Sequence, residues 1–201
     1  MIGVNAMSQY STWCILPTKY GNFRMYDTGN EMINLLSYGP IEELVDPVLF
    51  RMHSSCIASE VFGALDCDCA DQLDQSMKMI AENGSGIVMH LQQEGRGQGL
   101  SKKIEAISIM QKEQLDTVEA FDRLHLAHDI RDYSLASNLL SKLGIESVRL
   151  ITNNPRKQDF LLKHRINIVE VIQTNTEVRP ENREYLYSKK LKLNHTLPIK
   201  D

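Results

Sequence analysis

Residues 147–171, SVRLITNNPRKQDFLLKHRINIVEV, set the architecture. Ser147-Val148-Arg149-Leu150-Ile151 reads as a strand, 156–164 as a helix with Pro155 at its first position, and Ile166-Asn167-Ile168-Val169-Glu170-Val171 as the next strand. Upstream, 132–143 has helical spacing and ends at Gly144, so helix and strand alternate through the second half. Such alternation indicates α/β or α+β architecture with a mixed sheet. Further back, the apolar run Gly86-Ile87-Val88-Met89-His90-Leu91 reads as a buried strand, and Leu73, Met77 and Ile80 recur at helical spacing before Asn83-Gly84. Another helix is expected over 102–112, and short strands over 20–26, 32–37 and 47–52, with Tyr38-Gly39-Pro40 as a break. No repeat or linker-like stretch interrupts this order, so one domain over 16–175 is expected. It follows an N-terminal extension, 1–15, and precedes a polar, partly mobile segment, 176–201, in which Tyr185, Leu186, Leu191 and Leu193 can pack as a short helix.

The 201 residues are 42% apolar and 24% charged with a net charge of −4, which fits a globular protein and not a disordered tail. No apolar run approaches the ~20 residues a bilayer requires, and the first residues lack the order of a signal peptide, so a cytoplasmic protein without membrane association is expected. The acidic balance, with no basic patch interleaved with aromatics, argues against nucleic acid as a partner. It leaves room for an anionic small molecule. The four cysteines, at 14, 56, 67 and 69, are read as reduced, because a Cys67–Cys69 bridge would be strained.

Four constellations carry chemistry. Cys56, followed after ten residues by Cys67-Asp68-Cys69, offers three thiolates at a spacing that suits Zn²⁺. A catalytic zinc keeps a position for water, whose pKa it lowers toward neutrality. Two other readings stay open: a structural zinc with His53 as fourth ligand, or unconnected buried thiols. Gln92-Gln93-Glu94-Gly95-Arg96-Gly97-Gln98-Gly99-Leu100 directly follows the strand 86–91 and precedes a helix, where backbone amides and Arg96 can meet an anion. It matches neither the dinucleotide fingerprint nor the Walker motif. Asp129-Ile130-Arg131-Asp132 either places Asp129 and Arg131 at one cleft or caps a helix with Asp129. His125 and His128 nearby read as surface or packing residues. Thr152-Asn153-Asn154-Pro155-Arg156-Lys157 lies at the carboxyl end of a strand, the rim where such sheets place ligands.

Taken together, these segments resemble GTP cyclohydrolase II, an enzyme of riboflavin biosynthesis. The resemblance rests on Arg51-Met52-His53-Ser54 with Cys56, Phe62-Gly63 with Cys67-Asp68-Cys69, Gln93-Glu94-Gly95-Arg96-Gly97, Lys103-Ile104, Asp116-Thr117-Val118-Glu119-Ala120, Asp129-Ile130-Arg131-Asp132-Tyr133 and Thr152-Asn153-Asn154-Pro155. It implies an α+β, mixed-sheet single domain, a homodimer, one Zn²⁺ per subunit on Cys56, Cys67 and Cys69, and Mg²⁺ with the substrate. It implies catalytic roles for Asp129 and Arg131, the latter attacking or stabilising phosphate. Arg51, Glu94, Gly95, Arg96, Thr152 and Lys157 would hold GTP and its metal. The implied reaction opens the guanine imidazole ring and releases formate and pyrophosphate, giving 2,5-diamino-6-(5-phosphoribosylamino)pyrimidin-4(3H)-one.

The sequence also departs from the family pattern. The helix after the glycine loop usually begins Asn-Lys-Ile-Arg-Ala-Tyr; here it is Lys102-Lys103-Ile104-Glu105-Ala106-Ile107. Ile107 can neither donate a proton nor orient a water. The Glu-Ala-Asn motif ends in Phe121, and Ser55 stands where a glutamate is usual. Two alternatives follow: a cyclohydrolase that stops at the N-formyl aminopyrimidine nucleotide or takes a related purine nucleotide, and a nucleotide-binding regulatory protein without catalysis.

Overall fold

A seven-stranded sheet organises residues 12–53, Leu73–Gln92 and Tyr133–Thr174, the first of two units in the chain. The computed structural model describes residues 12–197. The strands are β1 (Trp13–Thr18), β2 (Gly21–Tyr26), β3 (Ile33–Tyr38), β4 (Val48–Ser54), β5 (Gly86–Leu91), β6 (Ser147–Ile151) and β7 (Asn167–Ile172), in spatial order β1-β2-β3-β5-β4-β6-β7. β1, β2, β3 and β5 pair antiparallel, whereas β4, β6 and β7 run parallel, so the sheet is mixed, as the alternating second half predicts.

Side chains on successive strand residues point to opposite faces, and the central strands are apolar on both. Phe50, Met52, Ile87, Met89, Val148 and Leu150 share one core with Ala136, Leu139 and Leu140 of α5 (Ser134–Lys142) and Leu161 of α6 (Pro155–Lys163). Leu49, Val88 and Ile151 share the other with Leu73, Met77 and Ile80 of α2 (Cys69–Asn83). Asn154 caps α6 by accepting from the Arg156 N–H at 3.0 Å, with Pro155 at the first helical position, as expected.

The second unit comprises Ser54–Gln72, Gln93–Asp132 and 175–197. It contains α1 (Ile57–Glu60), the head of α2, a 3₁₀ turn at Glu94–Gly97, α3 (Leu100–Glu113), α4 (Thr117–Arg123) and α7 (Arg183–Lys192). Ala106, Ala120 and Phe121 form its buried core, with Ile109, Met110, Leu124 and Leu126 against them. α4, which the sequence reading passed over, starts at a capping box: Asp116 Oδ1 accepts from the N–H groups of Val118 and Glu119, and Glu119 accepts in return from the Asp116 N–H. Of the expected extension 1–15, residues 1–11 lie outside the described residues and Trp13 opens β1. Of the expected polar segment 176–201, residues 198–201 lie outside them and Arg183–Lys192 is helical.

Lys192 of α7 pairs with both Asp116 and Glu119. Partial burial opposes charge on Asp116, but bonds from the Lys192 ammonium and the Glu119 and Val118 N–H groups prevail and hold its carboxyl below the usual range. Asp116→Ala is therefore expected to lower stability by about 1 kcal/mol, read as the midpoint of urea unfolding, with Asp116→Asn retaining much of the cap. A depressed folded pKa contributes stability above the unfolded value and loses it as pH falls through the folded one. The gap between wild type and Asp116→Asn should narrow on acidification.

Candidate metal centre and anion cleft

Cys56 follows β4 and starts the turn into α1, its N–H donating to Glu60 Oε1 at 2.7 Å. Cys67 precedes α2, and Cys69 is its first residue. The three sulfurs lie within 4.8 Å of one another, and Cys56 Sγ is 3.7 Å from Cys67 Sγ. Three thiolates about 2.3 Å from a tetrahedral zinc would sit about 3.8 Å apart, so the donor set fits a soft cation with little movement. Cys14 is exposed on β1 and takes no part in the cluster. Hydrogen bonds from the Cys67 and Cys69 thiols, with a further one from Lys103, hold the Cys56 thiol well below its ordinary value. Cys67 and Cys69 are pushed up, chiefly by hydrogen bonding to Cys56 and, for Cys69, to Cys67. A cation at the centre would let all three ionise.

Asp68, between the two turn cysteines, has no exposure. Its Oδ1 meets Lys189 Nζ of α7 at 2.6 Å, and its Oδ2 accepts from Gln72 Nε2 at 2.6 Å and Thr176 Oγ1 at 3.3 Å. Burial opposes ionisation of Asp68, but the Lys189 ammonium and the hydrogen bonds from Lys189 and Gln72 outweigh it, leaving the carboxyl below its usual range. Sequence reading missed Lys189, which lies 121 positions away.

The glycine loop forms the facing wall. Glu94 Oε2 accepts from the Ile57 N–H at 2.7 Å, and Oε1 accepts from Lys103 Nζ at 2.7 Å. Lys103 Nζ also lies 3.1 Å from Cys56 Sγ, so one ammonium joins the loop to the cysteine cluster. Lys103 carried a signal in the sequence: a lysine pair in the first turn of a helix opposes the macrodipole and needs a local anion. Arg96 adopts the left-handed region at φ 58°, with its guanidinium 5.4 Å from the Phe121 ring centroid. Both of its Nη atoms are buried without a hydrogen-bond partner among the described residues. A forked cation left in that state suits an oxyanion.

Asp129 does not cap a helix. α5 starts at Ser134, and Asp129 instead grips Arg131, accepting from Nε at 2.9 Å, Nη2 at 2.7 Å and the backbone N–H at 3.1 Å. The Ile130 N–H donates to Arg96 O at 3.1 Å, which sets this segment beside the glycine loop. A cavity of about 260 Å³ is bounded by Cys56, Cys67, Cys69, Glu94, Gly95, Arg96 and Arg131, with Ile107, Phe121 and Tyr185 also on its wall. His128 pairs with Asp122 at 2.6 Å on the surface, away from any metal-ligating cluster among the described residues.

Arg51, Thr152 and Lys157 belong to the first unit. All three are buried: Arg51 Nη1 donates to Ile151 O at 3.1 Å, Nη2 donates to His53 Nδ1 at 3.1 Å, and Lys157 Nζ donates to Met52 O at 2.7 Å. Thr152 Oγ1 accepts from the Asn154 N–H at 3.0 Å. His53, the alternative fourth ligand, stacks on His90 with centroids 5.5 Å apart.

In a chain of mixed-sheet α+β architecture, three thiols that could hold a metal ion stand beside an arginine-bearing glycine loop, a donor set of the kind metal-dependent hydrolases use. The family model for GTP cyclohydrolase II matches residues 9–173. The chain is 42% identical over 192 residues to GTP cyclohydrolase-2 of Hahella chejuensis, covering 94% of this chain and 92% of that protein. It is 43% identical over 190 residues to GTP cyclohydrolase-2 of Saccharophagus degradans, covering 92% and 94%. Riboflavin biosynthesis protein RibBA of Synechocystis is 41% identical over 194 residues, but this chain spans only 35% of that longer protein. The chain belongs to the GTP cyclohydrolase II family.

Gly97 has φ 90°, and a Cβ there would lie 3.0 Å from Ile130 Cγ1 and 3.2 Å from the Arg131 nitrogen. Gly99 has φ 88° with nothing within 4 Å of a Cβ. Gly97→Ala is expected to lose about 1–3 kcal/mol of stability through strain and contact together, and Gly99→Ala less, through strain alone. Urea unfolding of the two variants measures the difference.

Proposed function

We propose that this chain is a zinc-dependent cyclohydrolase that opens the imidazole ring of GTP and releases formate and pyrophosphate, yielding 2,5-diamino-6-(5-phosphoribosylamino)pyrimidin-4(3H)-one for riboflavin biosynthesis. The observation that carries this reading is one cavity walled by three clustered sulfurs and by two arginines, Arg96 and Arg131. Cys56, Cys67 and Cys69 hold the zinc, which when bound supplies a water reactive near neutral pH. Arg96 offers its two unpartnered Nη atoms to phosphate oxygens. Asp129 fixes the plane of Arg131 with two side-chain bonds, which favours a phosphate-stabilising role over nucleophilic attack by an arginine. Mg²⁺ enters with the phosphates, its usual mode of binding.

Glu94 acts through position: its two oxygens orient Lys103 and the first turn of α1, and Gly95 lets the loop pass Lys103, whose Cβ would lie 3.1 Å from an added side chain. For Arg51, Thr152 and Lys157, the proposed contribution to GTP binding rests on the family resemblance. Homodimerisation and a cytoplasmic location rest on it too. Among the described residues no helix is long and apolar enough to cross a membrane.

A second reading is favoured by one observation: Ile107 lines the cavity and carries no hydroxyl. A protein so altered can open the ring and retain the formyl group. Product analysis by mass spectrometry after incubation with GTP, Zn²⁺ and Mg²⁺, with formate and pyrophosphate assayed in parallel, separates the readings. Formate and pyrophosphate together are expected; pyrophosphate with a retained formyl group selects the second reading, and unchanged GTP overturns both. Cys67→Ser is expected to lose bound zinc and formate release together, and Arg131→Ala to slow pyrophosphate release by about 10²–10³-fold.

A further inference from the structure

Ring opening and formate release make different demands. Formate leaves when water adds to the formyl carbon and the C–N bond to the pyrimidine amine breaks. The departing nitrogen keeps the electron pair and needs a proton at that moment, since an amide-like anion is a poor leaving group. Nothing on α3 can give that proton from position 107, where the cavity wall is an isoleucine.

The same wall contains one phenol, and it comes from α7. Tyr185 lines the cavity with Cys56, Cys67, Cys69 and Ile107, 78 positions further along the chain than Ile107 (185 − 107). Two features fix its helix there. Lys189, one turn further on, is anchored to Asp68 inside the Cys67–Cys69 turn, and its Nζ lies 4.4 Å from the Tyr185 ring centroid. Lys192 ties the end of the helix to Asp116 and Glu119. Among the described residues the Tyr185 hydroxyl has no hydrogen-bond partner, and the side chain is half-buried. A phenol is ordinarily protonated across the working range of pH, so the hydroxyl enters the step carrying its proton.

We propose that Tyr185 is a catalytic residue of the deformylation step, its hydroxyl giving the departing pyrimidine nitrogen the proton that the isoleucine at position 107 cannot supply. The proton balance closes within the cavity. Water contributes hydroxide to the formyl carbon, and of the two protons freed as formate forms, one restores the phenol and one leaves to solvent. This inference rests on the cyclohydrolase reading, and it accounts for how formate can be released in a chain carrying Ile107.

The test compares formate with pyrophosphate released from GTP by the zinc- and magnesium-loaded full chain. Tyr185→Phe is expected to lower the formate-to-pyrophosphate ratio by about 10²-fold, with the N-formyl nucleotide accumulating in the mass spectrum. Zinc content and urea midpoint are measured on the same sample, because a residue that only packs the helix would lower both products together with bound metal. Adding Ile107→Tyr to Tyr185→Phe should restore part of the ratio by returning a phenol to the cavity from α3. An unchanged ratio in Tyr185→Phe overturns the proposal, as does a proportional fall of both products with loss of zinc. Wild-type protein that releases pyrophosphate yet retains the formyl group overturns it while leaving ring opening intact. Unchanged GTP with the wild type overturns the cyclohydrolase reading itself.

Discussion

The turn that carries Cys67 and Cys69 depends on an ion pair buried inside it. Asp68 sits between Cys67 and Cys69 with no exposure, and Lys189 meets it at 2.6 Å while itself only 7% exposed. Removing one partner of such a pair leaves an uncompensated buried charge, typically about 3–5 kcal/mol of destabilisation. The pair therefore fixes the turn against α7 in one arrangement. The hydrogen bonds from Gln72 and Thr176 satisfy Asp68 Oδ2, the carboxylate oxygen that Lys189 does not meet. The consequence for the site is direct: two of its three sulfurs leave the turn on either side of the anchored carboxylate.

A second link joins that cluster to the glycine loop. Lys103 bonds both Glu94 and Cys56, so its ammonium compensates a carboxylate and a thiolate at once. Burial opposes its charge, yet the bonds to Glu94 and Cys56 win and raise its pKa. Around this link the loop takes backbone conformations that cost energy, with Arg96 at φ 58° and Gly97 at φ 90°. The strain is held by the bond from Ile130 to Arg96 O, and its product is an arginine fork facing the cavity without a protein partner. An oxyanion meeting that fork would find its donors already in place.

The sheet was legible in the sequence because its signals are local. Short apolar runs announced β5 and β6, Pro155 after Asn154 announced the start of α6, and Gly144 marked the end of α5. α4 was passed over despite a complete capping box, since seven residues are too few for a helical period to stand out. In the site, the Cys-x-Cys spacing and the glycine loop could be read directly, because both act through neighbours in sequence. Asp129 left two roles open, and only the backbone between it and Ser134 decides that it grips Arg131 instead of capping α5. Lys189 and Tyr185 were invisible as site residues. They come from a polar C-terminal stretch whose periodicity suggested at most a short helix, and their roles arise from contacts with residues more than 60 positions away.

The central claim is that three sulfurs hold a zinc ion whose remaining position is open to water. X-ray absorption at the zinc edge of the purified, zinc-loaded protein tests it most directly. The account predicts about three sulfur neighbours at about 2.3 Å and one light atom, oxygen or nitrogen, near 2.0–2.2 Å. That light atom should yield to an exogenous ligand. A shell of four sulfurs, a shell dominated by nitrogen, or protein that fails to retain zinc would contradict it.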